Sequence, residues 1–267
     1  MKKSVVLILF CFMISCKETV VTGFQDKPVV EAYLYAESSP TVKISKLIAF
    51  KSDMVFSDED VSKLSISITE STSGKKYTLS SLGDGSYENK DLIIAAGKTY
   101  QLSFPYNGQT VSATTVVPDK PLNLTLSAST LSISPKGSET GGTTGTPSMP
   151  SPIDVTWTNT DQSYYFVYVK NVESSKIAID SRDNKAQDFF RNQPTNSDHY
   201  ELNARSFKFY GLHRVILYKI RPEYVLFFQE NSSSSLSLTE IKANIENGFG
   251  IFTAVNSVSV YLYVGKP

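Results

Sequence analysis

The two histidines, His199 and His213, are the first candidates for acid–base chemistry, because the imidazole ring titrates near neutral pH. His199 lies in a polar stretch, and His213 lies at the start of a predicted strand. Neither has a nucleophile or a carboxylate at a spacing that would fix its ring, so we predict hydrogen-bonding or surface roles for both. The sequence contains no G-x-S-x-G, H-E-x-x-H or C-x-x-C motif, and therefore indicates neither a nucleophile elbow nor a zinc site.

Other motifs match known binding sites only in part. Gly-Lys-Thr at 97–99 ends like a phosphate-binding loop, but the first glycine of that motif would fall at Leu92, so a β-turn is predicted. Gly-Phe-Gly at 248–250 lacks the third glycine of a dinucleotide site. The acidic run at 58–60 is typical of a solvated loop. A carboxylate pair for sugar cleavage would meet in space rather than in sequence, which leaves a cryptic hydrolase open as an alternative.

Aromatic side chains give the positive indication of ligand binding. Phe, Tyr and Trp make up 12% of the chain, and Tyr164, Tyr165 and Tyr168 form a cluster. Exposed aromatic rings stack on sugars and anchor interfaces, whereas a tryptophan on a sandwich strand is usually a core residue. We therefore predict Trp157 in the core, and a ligand or interface role for whichever of the three tyrosines faces outward.

The balance of charge argues against some partners. The chain has 26 basic and 26 acidic residues. A near-neutral protein offers no electrostatic reason to bind nucleic acid or an anionic membrane surface, so neither is predicted.

The first fifteen residues have the organisation of a secretory signal. Lys2 and Lys3 precede an apolar run at 5–14, and Ser15 is the small residue at the end. This run is too short to span a bilayer, and no later stretch approaches the ~20 apolar residues that a membrane span needs.

The order Met-Ile-Ser-Cys at 13–16 resembles the lipobox of bacterial lipoproteins. The resemblance implies cleavage between Ser15 and Cys16, and lipid, including palmitate, on the sulfur and the new amino group of Cys16. The mature chain would have 267 − 15 = 252 residues. Cys11 would leave with the signal and Cys16 would carry lipid, so no thiol would remain for a disulfide, a metal or catalysis. We expect no metal and no cofactor besides this covalent lipid.

Alternating apolar and polar residues predict an all-β fold of two tandem immunoglobulin- or fibronectin-III-like β-sandwiches. After a lipidated tether at 16–27, about seven strands are expected within a first sandwich at 28–118. Asn107-Gly108 is a strong two-residue hairpin signal, because both residues tolerate positive φ.

The prolines at 118 and 121 mark the predicted domain boundary, and a second sandwich is predicted at 119–267. It contains a flexible loop at 135–152 that is rich in Gly, Ser, Thr and Pro. Residues 224–229 are expected to form a strand. Leu238, Ile241 and Ile245 are spaced for one face of a short helix. Two last strands are expected at 249–255 and 258–264.

Four segments resemble a family of Bacteroidota lipoproteins catalogued as domain of unknown function 4249. They are the opening strand at 29–34, the hairpin start at 97–102, the aromatic pair at 164–165 and a signature at 244–252, where Asn247-Gly248 replaces a usual pair of glycines. The similarity spans nearly all of the mature chain.

The resemblance implies a lipid-anchored outer-membrane protein, often encoded beside a TonB-dependent receptor. Lys17-Glu18 resembles the short charged signal that sends such lipoproteins to the cell exterior. We therefore expect a non-enzymatic surface lipoprotein that assists a TonB-dependent receptor in nutrient uptake. The alternative is an adhesion or structural surface module on the same anchor, and a cryptic hydrolase is the third hypothesis.

Overall fold

The computed structural model describes residues 27–46, 60–135, 150–183, 185–233 and 244–267 of the chain. Within these residues the chain is built of β-strands arranged in sandwich-like sheets, with one α-helix and one short 3-10 helix. The predicted all-β sandwich fold is therefore confirmed. The predicted signal and tether, and the loop at 135–152 except for its ends, lie outside the described residues.

The strands are numbered in chain order. The first eight are β1 (Pro28–Tyr35), β2 (Thr41–Lys46), β3 (Ser67–Glu70), β4 (Lys76–Thr78), β5 (Ser80–Gly83), β6 (Ser86–Glu88), β7 (Thr99–Tyr106) and β8 (Gln109–Val116). The remaining elements are β9 (Leu122–Leu126), β10 (Thr130–Ser132), β11 (Ile153–Thr158), β12 (Tyr164–Asn171), β13 (Phe189–Arg191), β14 (His199–Leu202), the 3-10 helix Ala204–Ser206, β15 (Gly211–Ile220), α1 (Pro222–Ser233), β16 (Ile245–Glu246) and β17 (Phe249–Gly265).

The predicted hairpin at Asn107-Gly108 is confirmed. Both residues have positive φ, 49° and 72°, and they join β7 to β8 with Tyr106 opposite Gln109. Two consecutive positive φ values are the signature of a type I′ turn, whose twist matches that of the flanking strands. This turn fixes the register of the longest hairpin in the first sandwich.

The first core lies between β1, β2 and β6 on one side and the sheet β16-β8-β7-β3-β4 on the other. Because side chains alternate across a strand, β1 sends Val30, Ala32 and Leu34 inward, and all three are fully buried. Tyr100, Leu102 and Phe104 of β7 face them across the sandwich in the same cluster.

The second core lies between β12, β15 and β10 on one side and the sheet β14-β11-β9 on the other. Val155 and Trp157 of β11 are buried here, and the predicted core position of Trp157 is confirmed. Val167 of β12 and Leu217 of β15 pack in the same cluster.

Strand β17 belongs to both halves of the structure. Residues 249–255 pair in parallel with β1, and residues 256–264 pair antiparallel with β15. The even-numbered side chains contribute Phe252 to the first core and Leu262 to the second. The sequence predicted two strands here, which is wrong, because the chain changes its partner near residue 256 without leaving the extended conformation.

Asn256 stands where β17 changes partner, and it is buried. Its Nδ2 donates to the Pro118 carbonyl at 3.0 Å, and its Oδ1 accepts from the Ser257 backbone N–H at 2.8 Å. One side chain therefore ties the linker between the two cores to the shared strand. The predicted domain ranges 28–118 and 119–267 stay a prediction. In the structure, Ile245, Phe252 and Ala254 fall within the range 119–267 but pack in the first core.

The prediction of a strand at 224–229 is wrong, because this stretch is part of helix α1. Pro222 occupies the first helical position, where its missing N–H would have no helical partner in any case, and Glu223 follows as an acid in the first turn. Tyr224 and Val225 pack toward the sheet, whereas Leu226 is exposed. An apolar run of this length fits either a strand or a helix, and here the proline decides.

The prediction that Ile245 lies on a helix face is also wrong. Ile245 belongs to β16 and pairs with Ala113 of β8. Leu238 and Ile241 lie outside the described residues. Because the first core offers Ile245 a buried position, burial outweighs the local helical spacing.

Gly250 lets β17 approach β1 closely. Its φ is +94°, and a Cβ atom there would lie 2.0 Å from the Val30 carbonyl oxygen. Gly83 has a nearly equal φ of +92°, but a Cβ there would meet nothing within 4 Å. The two positions therefore share the backbone cost of a side chain and differ in steric clash.

We predict that Gly250→Ala lowers the free energy of unfolding by more than ~3 kcal/mol, since backbone must move to remove the clash. Gly83→Ala is the matched control and should cost roughly 1–2 kcal/mol, the cost of the left-handed conformation alone. Urea unfolding followed by circular dichroism measures both values. Equal losses in the two variants would show that close pairing at Gly250 is not required.

Candidate ligand-binding groove

Both cores lie on the same face of the sheets that share β17, and the opposite face carries the candidate site. On β1 the side chains of Tyr33 and Tyr35 alternate with the inward residues and therefore point to this outer face. On β12 the same alternation sends Phe166 and Tyr168 outward. Helix α1 packs over part of this face through Tyr224 and Val225.

The part of the outer face that the described residues leave uncovered forms a groove of about 640 Å³. It lies where the ends of β1 and β15 come together on either side of β17. Most of its lining residues are aromatic: Tyr33, Tyr35, Phe166, Tyr168, Lys170, Phe189, Arg191, Ile216, Tyr218, Tyr224 and Val255.

The aromatic rings stack on one another in a fixed arrangement. Phe166 stacks on Tyr218, with ring centroids 4.8 Å apart, and on Tyr224, with centroids 5.5 Å apart. Tyr168 stacks on Phe189 at 5.5 Å. Offset stacking of this kind adds about 0.5–1.5 kcal/mol per pair beyond the buried area. The groove floor is therefore built of rings that hold each other in place.

Two cationic side chains, Arg191 and Lys170, border the rings. Arg191 donates from Nη1 to the Tyr224 hydroxyl at 2.8 Å, and its guanidinium lies 5.0 Å from the ring centre of Phe228. Among the described residues, no carboxylate lies within salt-bridge distance of either cation. Neither cation is therefore held in an ion pair within the described chain, whereas the carboxylates of Glu31 and Asp188 act through their charge on the groove tyrosines Tyr33 and Tyr168.

The phenol groups of Tyr33, Tyr35, Tyr168 and Tyr218 stay protonated at neutral pH. Burial, with a smaller effect of the Glu31 carboxylate, raises the pKa of Tyr33 to about 12. Burial also raises the pKa of Tyr35, Tyr168 and Tyr218. A neutral phenol both donates and accepts a hydrogen bond, so these hydroxyls can bind the polar edge of a ligand.

This arrangement is suited to binding. Ring faces and edges provide apolar contact, phenols provide hydrogen bonds, and the two cations attract an anion. Among the described residues that line the groove there is no Asp, Glu, His, Ser or Cys that could act as a base or a nucleophile. Nor does the described part of the chain hold a group of three His, Cys, Asp or Glu that could bind a metal ion.

The three predicted tyrosines have different positions. Tyr168 lines the groove. Tyr165 points the other way and is buried in the second core, 5.6 Å from the ring of Trp157. Tyr164 is half-buried near α1 and does not line the groove. Residues Ser15, Cys16, Lys17 and Glu18, predicted for lipid attachment and export, lie outside the described part of the chain.

The sequence reasoning missed Arg191, Phe189, Tyr33, Tyr35 and most other groove residues. A signal was present for two of them, since Tyr33 and Tyr35 alternate with the apolar residues of β1 and had to face away from the core. No local sequence pattern indicates that Arg191 lines the groove, because its position depends on the pairing of β13 with β12.

His213 is a buried structural residue. Its Nδ1 lies 3.0 Å from the Gly211 carbonyl and its Nε2 lies 3.3 Å from Asn171 Nδ2, so the neutral ring donates to the first and accepts from the second. Burial lowers the pKa of His213. His199 is exposed, and its contacts with Ser197 and Asp198 both use Nδ1, which is not the geometry of a proton relay.

We predict that His213 makes stability depend on pH. Because its folded pKa lies below the unfolded value near 6.5, the unfolded state binds the proton first as pH falls. Stability should therefore fall as pH drops below 6.5, with a slope from this proton of at most about 1.4 kcal/mol per pH unit.

Urea unfolding between pH 8 and pH 5 measures this slope. His213→Gln should reduce it, and His199→Gln, at an exposed position, should leave it unchanged. A wild-type slope that survives His213→Gln would contradict the assignment.

The described helices include none that is long and apolar enough to cross a membrane. Fold and groove together define an all-β protein with an aromatic binding groove on the outer face of its shared strand. The chain belongs to the family described as Domain of unknown function (DUF4249), whose model matches residues 17–260. The family expected from the sequence is therefore confirmed.

Comparison with solved structures gives distant likenesses. A two-domain fibronectin type-III segment of chicken tenascin is 11% identical, with 90% of this chain and 99% of that chain covered and a TM-score of 0.25. The chicken CNTN1 FN1–FN3 domains are 11% identical, with 90% and 65% covered and a TM-score of 0.28. Likeness at this level adds nothing to the architecture seen in the strand pairing. A search of curated proteins finds no match.

Proposed function

We propose that this protein is a non-enzymatic, lipid-anchored module of the outer-membrane surface that partners a TonB-dependent receptor in nutrient uptake. The observation that carries the proposal is the groove, which offers a ligand stacked rings and two cations that no described carboxylate holds in an ion pair. In this role the groove holds the nutrient near the receptor until the receptor takes it up.

The choice of binding over catalysis rests on the chemistry of the groove. A hydrolase needs converging titratable groups within reach of one reacting atom. The described lining supplies phenols that stay neutral, an amine and a guanidinium, and these groups favour recognition.

The anchor rests on the N-terminal sequence. The lipobox at 13–16 supports lipid on Cys16, and Lys17-Glu18 supports export to the exterior. A single acyl chain binds a membrane only weakly, whereas the combined chains of a lipoprotein would hold the module stably at the surface.

We predict that a TonB-dependent receptor co-purifies with the protein. A tag after Pro267 would follow an exposed C-terminus and so leave the strands intact. The outer membrane is solubilised in mild detergent, and partners are identified by mass spectrometry. Stoichiometric receptor is the expected result. Recovery of the lipoprotein alone, at the same expression level, would contradict the receptor partnership and favour an adhesion role.

We also predict that Cys16 anchors the protein. Wild-type protein should partition into the detergent phase, and Cys16→Ala should partition into the aqueous phase because it cannot carry the lipid. External protease on intact cells should digest the wild type. If Cys16→Ala still partitions into the detergent phase, the proposed lipid anchor on Cys16 is contradicted. If the wild type is protected from external protease, the proposed surface display is contradicted.

A further inference from the structure

We propose that the groove binds a short saccharide that carries carboxylate groups. The inference rests on the proposed function, because it names the class of nutrient that the groove would hold. It is argued from the size of the groove, its charge and the exposure of its rings.

The size of the groove fits a small ligand. Its volume of about 640 Å³ lies within the range of about 300–1,000 Å³ that is typical of small-molecule pockets. A stable protein partner would instead need roughly 800 Å² of buried surface on each side. The concave shape and limited volume therefore favour a short chain of sugar rings over a protein surface.

The charge of the groove requires an anion. Arg191 is held by the Tyr224 hydroxyl and by the faces of Phe228 and Phe166, so its guanidinium is positioned before a ligand arrives. Lys170 lies on the neighbouring strand, next to Phe189 in the pairing register. Neither cation has a carboxylate within salt-bridge distance among the described residues, so a carboxylate on the ligand could pair with both.

The exposure of the rings favours a sugar over a flat aromatic acid. Phe166 already stacks on Tyr218 and Tyr224 and lies under the Arg191 guanidinium. The rings left for a ligand lie at the rim, where Tyr35 is 48% exposed and Phe189 is 40% exposed. Each of these partly exposed rings offers a contact surface to a ligand. A sugar packs its apolar face on an exposed ring and leaves its hydroxyls in water, whereas a flat apolar ring would leave one face unburied.

The test is calorimetric titration of the full chain, purified in mild detergent, with trigalacturonate as the acidic probe. Galactotriose is the uncharged counterpart, and hexaglutamate tests whether an acidic peptide is preferred. We expect trigalacturonate to bind, and galactotriose to bind at least about tenfold more weakly. Added salt should lower the affinity for trigalacturonate.

Two groove variants and one control locate the binding. Lys170→Gln and Arg191→Gln should each lower the affinity for trigalacturonate about tenfold, because each removes a charge that contacts the carboxylate. Lys170 is exposed, so its replacement leaves the fold intact even if Arg191→Gln disturbs it. Lys208→Gln removes an exposed charge that does not line the groove and should change affinity less than about twofold.

Equal affinity for the charged and neutral sugars, or no loss in both groove variants, would overturn the proposal. Tighter binding of hexaglutamate would overturn it in favour of an acidic protein segment. Failure of trigalacturonate to bind while the receptor still co-purifies would refute the ligand class alone. Binding without a co-purifying receptor would support the ligand class and refute the partnership.

Discussion

The double pairing of β17 is the constraint on which the rest of the structure depends. Its first half completes a sheet with β1, and its second half completes a sheet with β15. Each half supplies buried side chains to a different core. The strand stays extended where it changes partner, so no loop separates the two sandwiches at residue 256. Asn256 adds a further restraint by holding the linker at Pro118.

The groove follows from this constraint. With both cores on one face of the shared strand, the aromatic side chains on the other face come together from β1, β12 and β15. Helix α1 covers only part of that face. It is held to the first sandwich by Glu223, which accepts from the Thr115 hydroxyl at 2.7 Å and the Thr253 hydroxyl at 3.3 Å. Rings from both halves of the chain therefore form one site, and a single extended strand joins those halves beneath it.

The sequence predicted the parts of the fold that depend on local pattern. Alternation located β1 and β7, and the pair Asn107-Gly108 identified the hairpin, because these signals lie within a few neighbouring residues. It did not predict that β17 is one strand, since the partners of that strand lie more than two hundred residues away in one case and about forty in the other. The helix at α1 was missed although Pro222 is a recognisable start signal.

The candidate site was predicted less well than the fold. Tyr168, one of the three tyrosines considered for a ligand or interface role, lines the groove, whereas Tyr165 lies in the core, because side chains alternate between the two faces of a strand. Arg191 could not be chosen at all. Its role depends on contacts with Tyr224 and Phe228, which only the packing of α1 against the sheet brings near.

Native-state hydrogen exchange along β17 tests the central claim most directly. If one continuous strand joins the two sandwiches, the ladder-bonded amides at 255–258 should be protected as strongly as the ladder-bonded amides in the middle of either half, and should exchange in the same opening event. Fast exchange of these ladder-bonded amides between two slowly exchanging halves would contradict this, because it would show a hinge at the point where the groove needs a rigid junction.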